Sequence, residues 1–210
     1  MRQMVALIPC DTYAEENVYG SLQTALRLLG GVERFVSPAE RVLLKPNLLG
    51  PANPEKAVTT HPAVLGAVAR ILREAGCHTV SYGDSPGSPL HSPAKTAQLC
   101  GMTPVARAQG LREADFSQGV YRAFPAGHVC HGFMLCKGVT EADTIWNLCK
   151  MKTHALERIT GAVKNLLGCV QGLNKGAFHA KYPSAAGFAE MLVDLHRLLR
   201  PRLHVLDGIL

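Results

Sequence analysis

Short apolar runs, each closed by a polar cluster, alternate along this chain with segments whose apolar residues recur every three or four positions. Residues 4–8, 41–44, 79–82, 144–148 and 203–206 have the length and side-chain character of strands. Between them lie helical stripes. Val18, Leu22, Ala25, Leu26 and Leu29 form one, stopped by Gly30-Gly31. Val64, Leu65, Val68, Ile71 and Leu72 form another, stopped by Gly76. Ile159, Val163, Leu166, Leu167 and Val170 predict a third helix, and Phe188, Met191, Leu192, Leu195 and Leu199 a fourth. Thr12 and Glu15 have capping-box spacing, and Ser92-Pro93 and Thr103-Pro104 read as N-cap and N1 pairs opening two short helices. The segment 115–137 reads as one or two short strands beside the main sheet, and the glycine-rich stretch 172–176 as a mobile loop. Strands alternating with helices predict an α/β fold: a mostly parallel sheet with helices on both faces.

At 210 residues the chain has the size of a single domain spanning 1–210, and its 47 % apolar content is ordinary for a globular protein. It stops three residues after a strand and a candidate ligand residue, Asp207. The expectation is therefore a C-terminally incomplete domain, with apolar surface open near Leu206, Ile209 and Leu210.

A balance of 22 Lys and Arg against 16 Asp and Glu suits an anionic ligand. Arg197, Arg200 and Arg202 fall at a helix end, where they complement the dipole, and no basic run is interleaved with aromatics, so no nucleic acid is expected. The apolar start is short and is followed by Asp11, Glu15 and Glu16, which excludes a signal peptide or a membrane span there. The seven cysteines, Cys10, Cys77, Cys100, Cys130, Cys136, Cys149 and Cys169, include no C-x-x-C pair. They predict free core thiols in a reducing cytoplasm rather than a zinc ribbon or an iron–sulfur site.

The chemistry sits at strand ends. Lys45-Pro46-Asn47, Gly83-Asp84-Ser85-Pro86-Gly87, Lys150-Met151-Lys152-Thr153-His154 and Asp207-Gly208 each follow a buried run. In a parallel sheet these ends share one edge, where ligands bind. Thr59-Thr60-His61-Pro62 opens a helix, and Thr60 or His61 would cap it and offer an anion pocket. Lys150 and Lys152 would share one side of an extended segment, crowding their charges unless an anion joins them. Gly161, Asn165 and Gly168 stand at helical spacing beside Lys164, a pattern of close approach by a ligand or backbone. His179 and Tyr182 would reach the site from the loop before them.

These residues predict binding of a small anion. Lys45, Lys150, Lys152 and Lys164 supply charge, while Asn47, Asn165, Thr60, Ser85 and Asp207 supply orientation. His154 or His61, oriented by Asp84, would carry acid–base chemistry together with Lys152. Two rival readings stand beside this: a non-catalytic redox or cofactor-carrier module, and a metal site through His61, Asp84, His154 and Asp207. His128, Cys130, His131 and Cys136 make a weaker metal set, because on a strand His131 points away from the others.

In order, the motifs 42–47, 59–62, 83–87, 150–154 and 161–168, and the stretch 203–208, resemble the domain of unknown function 362 family. The general reaction of that family is not established. The resemblance implies a continuation past Asp207-Gly208 into a glycine-rich turn, and in many members a ferredoxin-like module carrying [4Fe–4S] clusters. This chain has neither feature, so a cluster would belong to an extension or to a ferredoxin-like partner.

Overall fold

The computed structural model describes residues 4–209. In chain order, helix α1 (Glu15–Leu28) leads to strand β1 (Val42–Lys45), α2 (Pro62–Glu74) and β2 (Val80–Tyr82). The short helices α3 (Pro93–Leu99) and α4 (Met102–Ala108) precede β3 (Arg112–Glu113) and the pair β4 (Gly119–Ala123) and β5 (Gly132–Cys136). One helical turn, α5 (Lys137–Thr140), leads into β6 (Thr144–Lys150), β7 (Lys152–His154) and β8 (Arg158–Thr160). The chain then runs through α6 (Ala162–Asn165), α7 (Gly172–Lys181), α8 (Ala185–Leu199) and β9 (Leu203–Asp207).

The main sheet has five parallel strands in the order β3-β2-β1-β6-β9, with helices on both faces, as the alternating pattern predicts. Its pleat sorts the core into two layers. Val42, Leu44, Trp146 and Leu148 face Leu26 of α1, Leu65, Val68 and Leu72 of α2, and Met102 and Ala106 of α4. Leu43 and Ile145 face the other way, onto Phe133 and Leu135 of β5 and Phe188, Met191, Leu192 and Leu195 of α8. The β4–β5 pair is a separate antiparallel ribbon, the short strands expected within 115–137.

Several local expectations are corrected. Residues 4–8 pair with no strand, and Val5 and Leu7 are exposed: an apolar run becomes a strand only where a sheet edge receives it, and neither edge strand, β3 or β9, pairs with this segment. Helix α1 starts at Glu15 after an Ala14 cap, while Thr12 Oγ1 accepts from the Ala14 N–H and from Asn17 Nδ2 instead of closing a capping box. Ser92 does cap α3, but α4 begins at Met102 behind Gly101, one residue ahead of Thr103-Pro104. The stripe from Ile159 to Val170 is not one helix. Ile159 lies in the β7–β8 hairpin, α6 is a single turn, and a 3₁₀ turn covers Leu166–Cys169. The supposed loop at 172–176 is the start of α7, so His179 and Tyr182 sit at a helix end. Leu206 is half exposed on the edge strand β9, Ile209 is partly covered, and Leu210 lies outside the described residues.

Asp194 explains the His128–Cys130 segment without a metal. Its buried carboxylate accepts from the backbone N–H groups of His128 (2.8 Å), Val129 (2.8 Å) and Cys130 (3.0 Å). Burial pushes this carboxyl up, but the three N–H donors outweigh it and hold the group below its ordinary value of 3.8. Asp194→Ala is expected to cost about 2–4 kcal/mol in urea unfolding, since the buried N–H of Cys130 and the part-buried N–H groups of His128 and Val129 lose their acceptor. Because the folded value is depressed, this contribution is present above pH 3.8 and is lost as the pH falls through the lower folded value. A variant as stable as wild type at pH 7 would contradict it.

Candidate functional site

The strand register sets the first contacts. Lys45 lies opposite Asn147 across β1 and β6, and Lys150 lies opposite Asp207 across β6 and β9. Both lysines are fully buried, and each meets a carboxylate. Lys45 Nζ is 2.7 Å from Asp84 Oδ1, and Lys150 Nζ is 3.1 Å from Asp207 Oδ1. Neither aspartate orients a histidine side chain. Asp84 Oδ2 accepts from the Leu48 N–H at 2.7 Å, and Asp207 Oδ2 accepts from the backbone N–H of His61 at 3.0 Å. Asp84 as the partner of an acid–base histidine is thereby corrected: the nearer ammonium takes it.

Gly168 makes the first ion pair possible. A Cβ there would lie 1.9 Å from Asp84 Oδ1 and 2.8 Å from Lys45 Nζ, so only glycine lets the 3₁₀ turn close over the pair. Its carbonyl also accepts from the Ser85 N–H at 3.1 Å. Gly161, the other glycine of the motif, has nothing within 4 Å of its added Cβ, so close approach applies to one glycine of the two.

Around the second pair, the one Tyr13 hydroxyl proton is shared between Asp207 Oδ1 (2.9 Å) and the Ile209 carbonyl (2.8 Å), while Lys150 Nζ donates to the Tyr13 oxygen at 2.7 Å. The Tyr13 ring stacks on His61, with centroids 3.7 Å apart. His61 is the α2 N-cap, its Nδ1 accepting from the Ala63 N–H at 3.1 Å. Burial pulls this imidazole down, Asp207 opposing and Lys150 adding to the effect. Thr60 turns inward, accepting from the Asn47 N–H (2.8 Å) and donating to the Leu148 carbonyl (2.7 Å).

Lys152 differs from these lysines. Its Nζ donates to Asn47 Oδ1 at 2.7 Å and to the Val58 carbonyl, both neutral acceptors. Burial pulls it from 10.5 to about 8; Asp84 opposes this, while Lys164, Lys45 and Lys150 add to it. Lys150 and Lys152 thus take different partners within one electrostatic field. Lys164 also falls to about 8, through burial, with Glu157 opposing and Lys45 and Lys175 adding. Its Nζ lies 5.6 Å from the Phe188 ring centroid. His154 is held in its own turn, Nδ1 accepting from the N–H groups of Leu156 (3.2 Å) and Glu157 (3.1 Å), which leaves the ring proton on Nε2. Burial, then Lys164, His179 and Lys152, lower its pKa.

Three contributors were not singled out by sequence reasoning. Lys175 of α7 is buried, and its Nζ donates to the Ser85 carbonyl (2.8 Å), Ser85 Oγ (2.9 Å) and the Pro86 carbonyl, fastening the 83–87 turn. Asn147 is a fully buried amide between Trp146 and Leu148, and a polar residue inside an apolar strand was the available signal. Tyr13 carried no signal, because its partners are far away in sequence.

Among the described residues no group of three or more His, Cys, Asp or Glu side chains is placed to hold a metal ion. His61, Asp84, His154 and Asp207 do not form a ligand set, since both carboxylates are engaged by lysines. The cysteines are free, and burial pushes the thiols of Cys149 and Cys169 up to about 12, the behaviour of inert core thiols.

The fold defines the class first: a single parallel α/β layer system whose strand C-termini gather lysines and amides on one edge. The chain belongs to the family described as Domain of unknown function (DUF362), whose family model matches residues 42–210. It is 38 % identical over 211 residues to the thylakoid-associated protein sll1697 of Synechocystis sp., a match covering 100 % of this chain and 64 % of that protein. The chain therefore spans 64 % of the length of that relative. Among solved structures, the lactate racemase apoprotein from Thermoanaerobacterium thermosaccharolyticum superposes with a TM-score of 0.60 over 94 % of this chain and 50 % of that one. At 13 % identity the likeness is one of fold. No helix among the described residues is long and apolar enough to cross a membrane.

Proposed function

We propose that this chain binds a small phosphate- or carboxylate-bearing anion at the C-terminal edge of its sheet, with Lys152 and Lys164 as the receiving ammonium groups. The carrying observation is the charge imbalance around Lys152. Lys45 and Lys150 are paired with Asp84 and Asp207, whereas Lys152 donates only to neutral oxygens and feels, against the more distant attraction of Asp84, the charges of Lys164, Lys45 and Lys150. An anion would relieve that repulsion. Lys152 is also the better proton carrier. Near pH 8 it exists in both forms, while His154 has its Nδ1 lone pair committed to backbone N–H groups and offers only Nε2–H as a donor. The free, buried cysteines support a reducing, cytoplasmic setting.

Calorimetric titration with sulfate, phosphate and lactate tests the reading; lactate is included because one structural neighbour is a lactate racemase apoprotein. Lys152→Ala is expected to weaken the tightest of these by about 10–150-fold, the worth of a charge-assisted contact. Arg200→Ala, at an exposed helix end, is expected to change it less than about twofold. Equal effects of the two substitutions would overturn the proposal.

The pH dependence has a definite sign. Anion binding needs the ammonium form, so sulfate affinity should be full below pH 8 and decline as the pH rises through about 8, by up to about tenfold per unit for each lysine lost. The ligand-free protein should behave oppositely. These lysines have folded values below their ordinary 10.5, so their contribution to stability rises between about 8 and 10.5. A sulfate affinity that stays flat from pH 7 to 10 would contradict the assignment.

A further inference from the structure

We propose that Asn147 and His204 are positioning residues for the Lys152 ammonium, acting through a relay of buried amides that crosses from β7 to the edge strand β9. Every hydrogen bond of the relay runs the same way. Lys152 Nζ donates to Asn47 Oδ1 (2.7 Å), Asn47 Nδ2 to Asn165 Oδ1 (2.9 Å), Asn165 Nδ2 to Asn147 Oδ1 (2.8 Å), and Asn147 Nδ2 to His204 Nδ1 (2.9 Å).

Groups that can only accept set this direction. The Ala162 carbonyl takes the other N–H of Asn147 at 2.8 Å, and the Lys45 carbonyl takes that of Asn165 at 3.4 Å. Turning Asn147 around would press its oxygen against the Ala162 carbonyl. His204 Nδ1 must then accept, which it does only as a neutral imidazole with its proton on Nε2. That proton points to His196 Nε2, 3.3 Å away on α8, and the two rings stack with centroids 5.4 Å apart. Burial, then His196, lowers His204 to about 4, so the accepting form is the one present at neutral pH.

The consequence falls at the other end. The amide dipoles align and polarise one another, and the oxygen of Asn47 is presented to Lys152. With the relay cut, the Asn47 amide is freer to rotate its N–H toward the ammonium, and Lys152 loses a fixed acceptor. Neither Asn147 nor His204 hydrogen-bonds to Lys152, so their influence passes through Asn165 and Asn47. The inference deepens the anion-binding reading, and its first measurement needs no anion.

The titration midpoint of Lys152 in the ligand-free folded protein can be read from pH-dependent amine acylation followed by mass spectrometry. Lys164, Lys45, Lys150 and Asp84 face Lys152 and are left intact in every variant. His204→Phe keeps a ring but removes the acceptor, and is expected to lower the Lys152 midpoint of about 8 by about one unit and, through the smaller ammonium fraction, sulfate affinity at pH 7.5 by roughly threefold. His204→Gln, whose Oε1 can accept from Asn147, is expected to restore both. Asn147→Leu should shift the midpoint in the same sense and further; the histidine pair, at a half-buried edge position, decides the matter where that variant does not fold.

A purely structural role predicts a lower melting temperature with an unmoved Lys152 midpoint, and that result overturns the proposal. So does a His204→Gln variant shifted as far as His204→Phe. A shifted and rescued midpoint in a protein that binds none of the three anions supports the relay and removes the anion-binding reading instead.

Discussion

Gly168→Ala is expected to destabilise the protein by about 3–5 kcal/mol, the range for leaving a buried charge without its partner. The added methyl would stand 1.9 Å from Asp84 Oδ1 and 2.9 Å from Asp84 Cγ, so the carboxylate must leave Lys45 or the turn must open. Either movement also strains the bonds from the Leu48 N–H to Asp84 and from the Ser85 N–H to the Gly168 carbonyl. Gly161→Ala is the matched control, in the same motif with open space around its added methyl, and is expected to change stability by less than about 0.5 kcal/mol. Urea unfolding of the two variants side by side measures the difference. Equal stability would mean that the closure of Gly168 over the ion pair is not what holds this turn.

The second large effect concerns the ion pair itself. Lys45 and Asp84 are both buried, so each single replacement strands a charge in a medium that cannot solvate it. Lys45→Met and Asp84→Asn are each expected to cost about 3–5 kcal/mol. Asparagine can still accept from the Leu48 N–H, which confines the loss to the charge. The double variant has no stranded charge, and its cost should fall short of the sum by about 2–3 kcal/mol. Additive losses would show that the two groups act independently despite their 2.7 Å separation.

Much of this architecture is legible in the sequence. Val42-Leu43-Leu44 and, apart from Asn147, the run Ile145 to Leu148 are apolar on both pleat faces, which only a sheet covered on both sides satisfies. The parallel order then carries Lys45, Asp84, Lys150 and Asp207 to one edge, where the polar clusters were expected. The misreadings have local causes. Glycine lowers helix propensity by about 1 kcal/mol, so Gly172 and Gly176 disguised α7, which tertiary contacts nonetheless hold through Lys175 and the Ser85 turn. The apolar stripe from Ile159 ran through Gly161 and Gly168, and the chain used those glycines for a cap and a close approach rather than for a helix interior.

Family membership, the α/β class and the residues gathered at the strand ends were thus determined by the sequence alone, because side-chain period, strand ends and turn chemistry are local properties of a chain. Which lysine meets a carboxylate and which stays without one was decided only by the tertiary structure. Lys150 finds Asp207 57 positions away through strand register, and Lys152, two residues on, turns to an asparagine 105 positions back. Periodicity tells on which face a side chain lies. Only packing sets the distance to a charge from another element, and at the short range where ion pairs form inside a protein that distance decides each lysine's partner and proton affinity.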